Sequence, residues 1–426
     1  MKKVFMLFLL TVTFVVPYSN AQNPPVNYDE SKVPEYILPD PLTANDGTKI
    51  TTAENWMNKR RPEILEIFKN ELYGVMPDAN IAKLHYAERQ VDENALEGKA
   101  IRKEGTLYFN WPETEPKVEI LTYLPKEGNG PFPAFLGLNF LGNHTVSTEP
   151  GILISDISYG TRMNLKEDQE TLRGKQWERW QPEMVVGHGY ALVTAYYEEI
   201  APDKASDEEF GVIPLINGYM KSAGLPDEVA PGRISVWAWG LSRILDTMET
   251  MPEIDAKRVA VIGHSRLGKT ALWAGANDPR FALVISNNSG CGGAALYRRE
   301  FGETLDRMNV VFPYWFCKNM GKYVGKINTL PFDQHELIAL IAPRPVYVAS
   351  AEEDQWADPR GEFLSCLNAD PVYRLFNTDG IAGVTKWPAV NNPVGGIIHY
   401  HVRTGIHNVT AYDWEQYLLF ADKYMK

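Results

Sequence analysis

RVAVIGHSRLGKTALWAGA, residues 258–276, decides the fold. Val259, Val261 and Ile262 are β-branched and suit a buried central strand. Gly263 and Gly268 bracket Ser265, and GKTALWAGA then reads as a helix. A strand, a sharp turn and a helix whose free N–H groups face the turn form the nucleophile elbow of serine hydrolases. The pattern departs from G-x-S-x-G, because Leu267 stands where the second glycine belongs and Gly268 comes one place later. A tight turn with a capping serine is the plainer reading of the same residues.

Outward from the elbow, apolar runs alternate with helical patterns. PFPAFLGLNF (131–140), YALVTAYY (190–197), ALVISNNSG (282–290) and RPVYVASAEEDQ (344–355) read as strands, and RISVWAWGLSRILDTMETM (233–251) reads as a helix. This alternation predicts one α/β domain: a three-layer sandwich on a mostly parallel sheet, with long loop insertions. TAENWMNKRRPEILEIFKNELYG (52–74) predicts an amphipathic helix, preceded by a Pro-rich leader up to about residue 45.

The chain opens MKKVFMLFLLTVTFVVPYSNAQ: two lysines, an apolar run, then small residues at a cut after Ala21. That pattern predicts an export signal over 1–21 and a mature domain over 22–426, periplasmic or secreted. The net charge is −12, and removing Lys2 and Lys3 gives −14. Such acidity excludes nucleic acid as a partner. No other segment is apolar enough to span a membrane. Cys291, Cys317 and Cys366 are too few for a disulfide framework, although they leave room for one bridge. No Cys/His spacing reads as a metal site, no cofactor is expected, and nothing demands more than a monomer.

A nucleophilic serine needs an acid and a histidine later in the chain. Glu352, Glu353, Asp354 and Asp358 follow the strand RPVYVAS (344–350), where such folds place the acid. His407 lies just before a closing amphipathic helix and is preferred as the base over His399 and His401, which could instead shape the pocket or bind a partner. His264 and His335 read as structural.

GHSRLGKTALWAGANDPRFALVISNNSGCGGAAL, GETL, YVASAEEDQWADPRGEF and GIHNVTAYDW resemble the bacterial branch of the glucuronoyl esterases, carbohydrate esterase family 15. RRPEILEIFKNELYG and GRISVWAWGLSRILD, further upstream, extend the resemblance over nearly all of the mature chain. It implies an α/β-hydrolase in which Ser265 is the nucleophile, His407 the base and Arg266 an oxyanion partner. It further implies that Lys269, Glu303 and Trp356 contact the sugar. Asn288 stands where some members carry the acid, so the role falls to Asp354, with Asn288 hydrogen bonding to His407. The implied substrate is a lignin-alcohol ester of 4-O-methyl-glucuronate on glucuronoxylan. The loop Asn139–Thr145 and an insertion at about 142–185 are expected near the pocket. An acetyl xylan esterase, or an inactive polysaccharide-binding relative, is the alternative.

Overall fold

The computed structural model describes residues 24–110, 112–155, 168–206 and 209–426. The expected export signal and part of the 142–185 insertion therefore lie outside the described residues. Ten strands form one sheet: β1 (His85–Asn94), β2 (Ala100–Asn110), β3 (Thr114–Pro125), β4 (Phe132–Asn139), β5 (Ala191–Tyr196), β6 (Ile254–His264), β7 (Leu283–Asn287), β8 (Val346–Ala351), β9 (Val394–Gly395) and β10 (Ile398–Arg403). Their order is β1-β2-β3-β5-β4-β6-β7-β8-β10-β9. The run from β5 to β10 is parallel, while β1, β2, β3 and β9 join antiparallel. The five apolar runs read from sequence are the parallel strands β4 to β8. The antiparallel strands β1 to β3 carry mixed charged and apolar residues and were not legible as strands.

Side-chain alternation along the strands splits the core between the two faces of the sheet. On β6, Val259 and Val261 join one cluster with the helix Arg233–Met248, and Ala260 and Ile262 join the other with the closing helix Ala411–Met425. Helices thus cover both faces, as a parallel sheet requires.

The stretch read as one amphipathic helix is helical from Ala53 to Tyr73, but with two π-helical segments, Trp56–Arg60 and Lys69–Tyr73. Its buried stripe is Trp56, Arg60, Ile64, Phe68 and Leu72, one residue in every four. A pure α-helix would rotate such a stripe by about 40° per step. The wider π turns compensate for part of that drift and keep the stripe on the core.

The leader is laid against the loops that follow β7 and β8. Gly302 N donates to Asn27 O (2.8 Å), and Glu30 pairs with Arg299 (2.6 Å) and Arg360 (3.3 Å). All three cysteines are buried free thiols, so the one bridge left open by the sequence is not formed. Among the described residues no helix is long and apolar enough to cross a membrane.

Gly275, inside the helix Arg266–Asn277, tests how tightly the elbow helix sits on β7. A Cβ there would lie 2.4 Å from Val284 Cγ2. Helix propensity favours alanine by up to about 1 kcal/mol. Overpacking a rigid, buried β-branched neighbour costs about 1–3 kcal/mol. Gly275→Ala is therefore expected to lower the urea-unfolding free energy; a gain in stability would refute the close contact.

Candidate active site

The elbow forms as the sequence predicts. Ser265 joins β6 to the helix Arg266–Asn277 at φ 58°, ψ −129°, a conformation that non-glycine residues avoid at a cost of about 1–3 kcal/mol. Its N–H donates to Asn287 O (2.9 Å), anchoring the turn to the end of β7. Gly263 is required because a Cβ would fall 1.9 Å from Leu267 O. The displaced glycine is explained too: a Cβ on Gly268 would sit 3.0 Å from Ser289 Cβ and 3.1 Å from Asn287 O. The glycine is needed where the helix meets the loop after β7, one place beyond the usual position.

His407 and Asp354 meet as expected. His407 Nδ1 donates to Asp354 Oδ2 at 2.5 Å, which leaves Nε2 as the acceptor. Asp354 is buried, whereas the His407 side chain is 39 % exposed and faces the cleft that Ser265 also lines. Of the other three acids, Asp358 is bound to Arg299 (2.8 Å), and the carboxylate that His407 pairs with is Asp354, not Glu352 or Glu353. Asn288 differs from expectation. Its amide donates to Asp354 Oδ2 (2.7 Å), not to His407, and so shares with the imidazole the same carboxylate oxygen.

The four other histidines weighed from sequence do not line the cleft beside Ser265. His399 and His401 share one face of β10, two residues apart. His401 Nε2 donates to Asp413 Oδ1 (3.0 Å) and its Nδ1 accepts from Tyr347 (2.8 Å). Burial pushes His399 down to about 4. His335 is buried and bonded to Pro39 O (3.0 Å). His264 is buried behind the elbow, 4.4 Å between ring centres from His407, and bonded to Asn287 Oδ1 (2.6 Å). Burial and the neighbouring imidazole hold it well below the ordinary histidine range.

A clamp that sequence reading missed holds the His407 loop. Arg403, at the end of β10, donates Nη1 to Thr404 O (2.9 Å) and Nη2 to Ile406 O (3.2 Å) and Asn408 O (2.5 Å). Its Nε binds Asp413 Oδ2 (2.7 Å), and Asp413 also caps the closing helix through Thr410. Burial alone would raise the Asp413 carboxyl, yet His401, Arg403 and Thr410 hold it below the usual range. The carbonyls of Arg403 and Gly405 accept from Glu352 N (2.8 Å) and Glu353 N (3.1 Å), which knits this loop to the one carrying Asp354.

The cleft beside Ser265 has a volume of about 450 Å³ and is lined by Arg266, Lys269, Glu303, Trp315, Trp356 and His407, among others. Ser265, Arg266, Lys269, Glu303, Trp356 and His407, all singled out from sequence, meet here, and Asp354 reaches the cleft through its contact with His407. Lys269 Nζ binds Glu303 Oε2 and Ser289 O, both at 2.8 Å. Arg266 lies between Phe140 (5.6 Å) and Trp315 (4.9 Å), and its Nη1 pairs with the fully buried Asp203. Burial works against the guanidinium charge, but Asp203 and Tyr197 more than compensate. Among the described residues, Arg266 Nε is buried without a hydrogen-bond partner. Phe140 places the expected 139–145 loop at this site. Asp203 and Trp315 were not legible as site residues. Behind the loop after β7, Glu362 accepts from Ser289 N (2.8 Å), Gly290 N (2.9 Å) and Ser350 Oγ (2.6 Å). Burial pushes its carboxyl up to about 8.

Comparison with known proteins identifies the family. A family model described as glucuronyl esterase, fungi, matches residues 224–377. A carbohydrate esterase, MZ0003, from an unknown prokaryotic organism is 46 % identical over 100 % of this chain and 99 % of its own. A solved structure described as a promiscuous CE15 esterase from a marine bacterial metagenome superposes with TM-score 0.87 at 47 % identity, over 94 % of this chain and all of that one. A glucuronoyl esterase from Solibacter usitatus superposes with TM-score 0.88 at 46 % identity, over 93 % and 100 %.

The clamp and the buried acid are each measurable. Arg403→Lys keeps the charge opposite Asp413 but cannot reach three carbonyls. Amide hydrogen exchange is expected to rise across 404–409 while the closing helix stays protected; unchanged exchange in the loop would count against the clamp. Glu362 titrates near 8 when folded against 4.5 as its ordinary value, so the native state holds a proton the unfolded state has released. Stability should fall as pH rises from 4.5 to about 8, with Glu199 and Glu336 contributing in the same sense. In thermal melts across that range, Glu362→Gln should flatten the slope; a slope as steep as wild type would refute a protonated Glu362.

Proposed function

The chain belongs to carbohydrate esterase family 15, and on that premise we propose that it hydrolyses glucuronate esters through Ser265, His407 and Asp354. The observation that carries this reading is the 2.5 Å contact between His407 Nδ1 and Asp354, beside a serine held in an elbow. With Nδ1 committed to the carboxylate, Nε2 is free to take the proton of Ser265 as its Oγ attacks the ester carbonyl. Arg266, which lines the cleft with its side chain 21 % exposed, supplies a donor for the oxyanion, together with backbone N–H groups of the elbow. Asp203, Phe140 and Trp315 keep the guanidinium in place, so little reorganisation accompanies the developing charge. His407 then protonates the leaving alcohol, and water hydrolyses the glucuronoyl-enzyme by the reverse roles.

Lys269, Glu303 and Trp356 line the acyl side of the cleft. The ammonium and the carboxylate present a donor and an acceptor to sugar hydroxyls, and the indole offers an apolar face to the ring. The substrate class proposed is (4-O-methyl-)glucuronate on glucuronoxylan, esterified to lignin alcohols. Export through residues 1–21, with the remainder as one catalytic domain acting as a monomer, suits a polymer made outside the cell. Acetyl ester hydrolysis is kept as a second reading because the 47 %-identical relative is described as promiscuous.

The test compares hydrolysis of benzyl glucuronate and of an acetylated sugar by wild type, Ser265→Ala, Asp354→Asn and Arg266→Lys. Preferential cleavage of the glucuronate ester is expected. Asp354→Asn should lose about 10⁴ in kcat, Ser265→Ala more, and Arg266→Lys about 10²–10³. Turnover of the acetyl ester alone would overturn the substrate. Near-normal activity of Asp354→Asn would overturn the acid. A wild type inert towards both esters, and unlabelled at Ser265 by a phosphonate, would be a binding protein.

A further inference from the structure

A second cleft of about 430 Å³ adjoins the first and is used by nothing described so far. It is lined by Glu30, Phe301, Glu352, Gln355, Arg360, Trp387 and further residues. The partition between the two clefts is thin. Phe301 faces the second cleft and Glu303 the first; Gln355 faces the second and Trp356 the first. Gly302, at φ +62°, makes this thinness attainable. A Cβ there would lie 2.4 Å from Gln355 O and 2.5 Å from Trp356 O, and Glu303 N donates to Trp356 O (2.8 Å). Two backbone segments in direct contact therefore separate the clefts at this point.

The floor and rim have a definite chemistry. Trp387 packs its ring at 87° against Phe363 and at 53° against Tyr400, and remains 38 % exposed. An indole held firmly from behind and open in front is a platform for the C–H face of a pyranose. Around it, Glu30, Glu352, Gln355 and Arg360 offer both acceptors and donors. Arg360 and Glu30 are within 3.3 Å of each other, so the rim has no cationic excess to attract a polyanion. The combination suits uncharged, hydroxyl-rich rings.

We infer that this cleft is a subsite for the neutral sugar chain that carries the esterified uronate, with Trp387 as its stacking platform. The inference rests on the reading of the first cleft as the glucuronoyl site. A uronate seated at Trp356 is linked to a main chain, and that chain has only the Phe301–Glu303/Gln355–Trp356 partition to cross before meeting Trp387. The subsite adds affinity for ester borne on an oligosaccharide and does nothing for a free uronate ester.

Two substrates separate these effects: benzyl glucuronate, and the benzyl ester of a glucuronate carried on a xylo-oligosaccharide. Trp387→Ala is expected to raise KM for the second about five- to tenfold, the loss of one sugar–aromatic contact, and to leave both constants for the first unchanged. Arg360→Ala, a change at an exposed side chain, should raise KM for the second alone to a smaller extent and serves if Trp387→Ala does not fold. Equal effects on both substrates, or none on either, would overturn the subsite. Calorimetric binding of xylohexaose to Ser265→Ala, lost on adding Trp387→Ala, supports the subsite even if wild type hydrolyses neither ester. Failure of the esterase reading is thereby told apart from failure of this one. No xylohexaose binding, together with KM values unaffected by Trp387→Ala, would leave Trp387 as a packing residue only.

Discussion

One buried carboxylate, Asp413, governs the geometry of the candidate active site. It accepts from His401, Arg403, Asn287 and both polar groups of Thr410. Those partners belong to the ends of β10 and β7 and to the start of the closing helix. Taking two charges such as Asp413 and Arg403 out of water costs several kcal/mol per ion before attraction and hydrogen bonds offset it. Net stability is therefore a poor explanation for the pair. Registry is a better one, because an apolar substitute of equal volume could not hold the carbonyls of Thr404, Ile406 and Asn408 in one arrangement. The partly exposed His407 is held by Asp354 and by the ring of His264, and the path of its loop is set by that arrangement.

The elbow, the parallel strands β4 to β8 and the residues Ser265, Asp354 and His407 were legible because their signals are local, whereas Arg266, Lys269, Glu303 and Trp356 were legible only through the family resemblance. Ser265 with its glycines, His407 before a helix and Asp354 after a strand each carry a pattern within about ten residues. Arg403, Asp203 and Trp315 carry none. Arg403 is the last residue of β10, and its role appears only when the loop after it folds back over the guanidinium. Asp203 lies 63 positions from Arg266 and reaches it through the turn after β5. β1 to β3 escaped for another reason. An antiparallel flank with charged residues on one face lacks the continuous apolar run that marks a parallel strand.

Asn288 illustrates how a departure from a family pattern is resolved by distance. Its amide nitrogen lies 2.7 Å from Asp354 Oδ2. A carboxylate in that place would set two negative charges within hydrogen-bond reach, and one of them would have to take up a proton. An amide instead adds a donor to the charge that His407 uses. A further carboxyl that feels the charge of Asp354, Glu362, is pushed up to about 8 by burial, which disfavours a competing charge there. The imidazole therefore meets a single ionised acid, held from one side by Asn288. On that ground the proposed assignment of Asp354 follows from the presence of Asn288 and is not weakened by it.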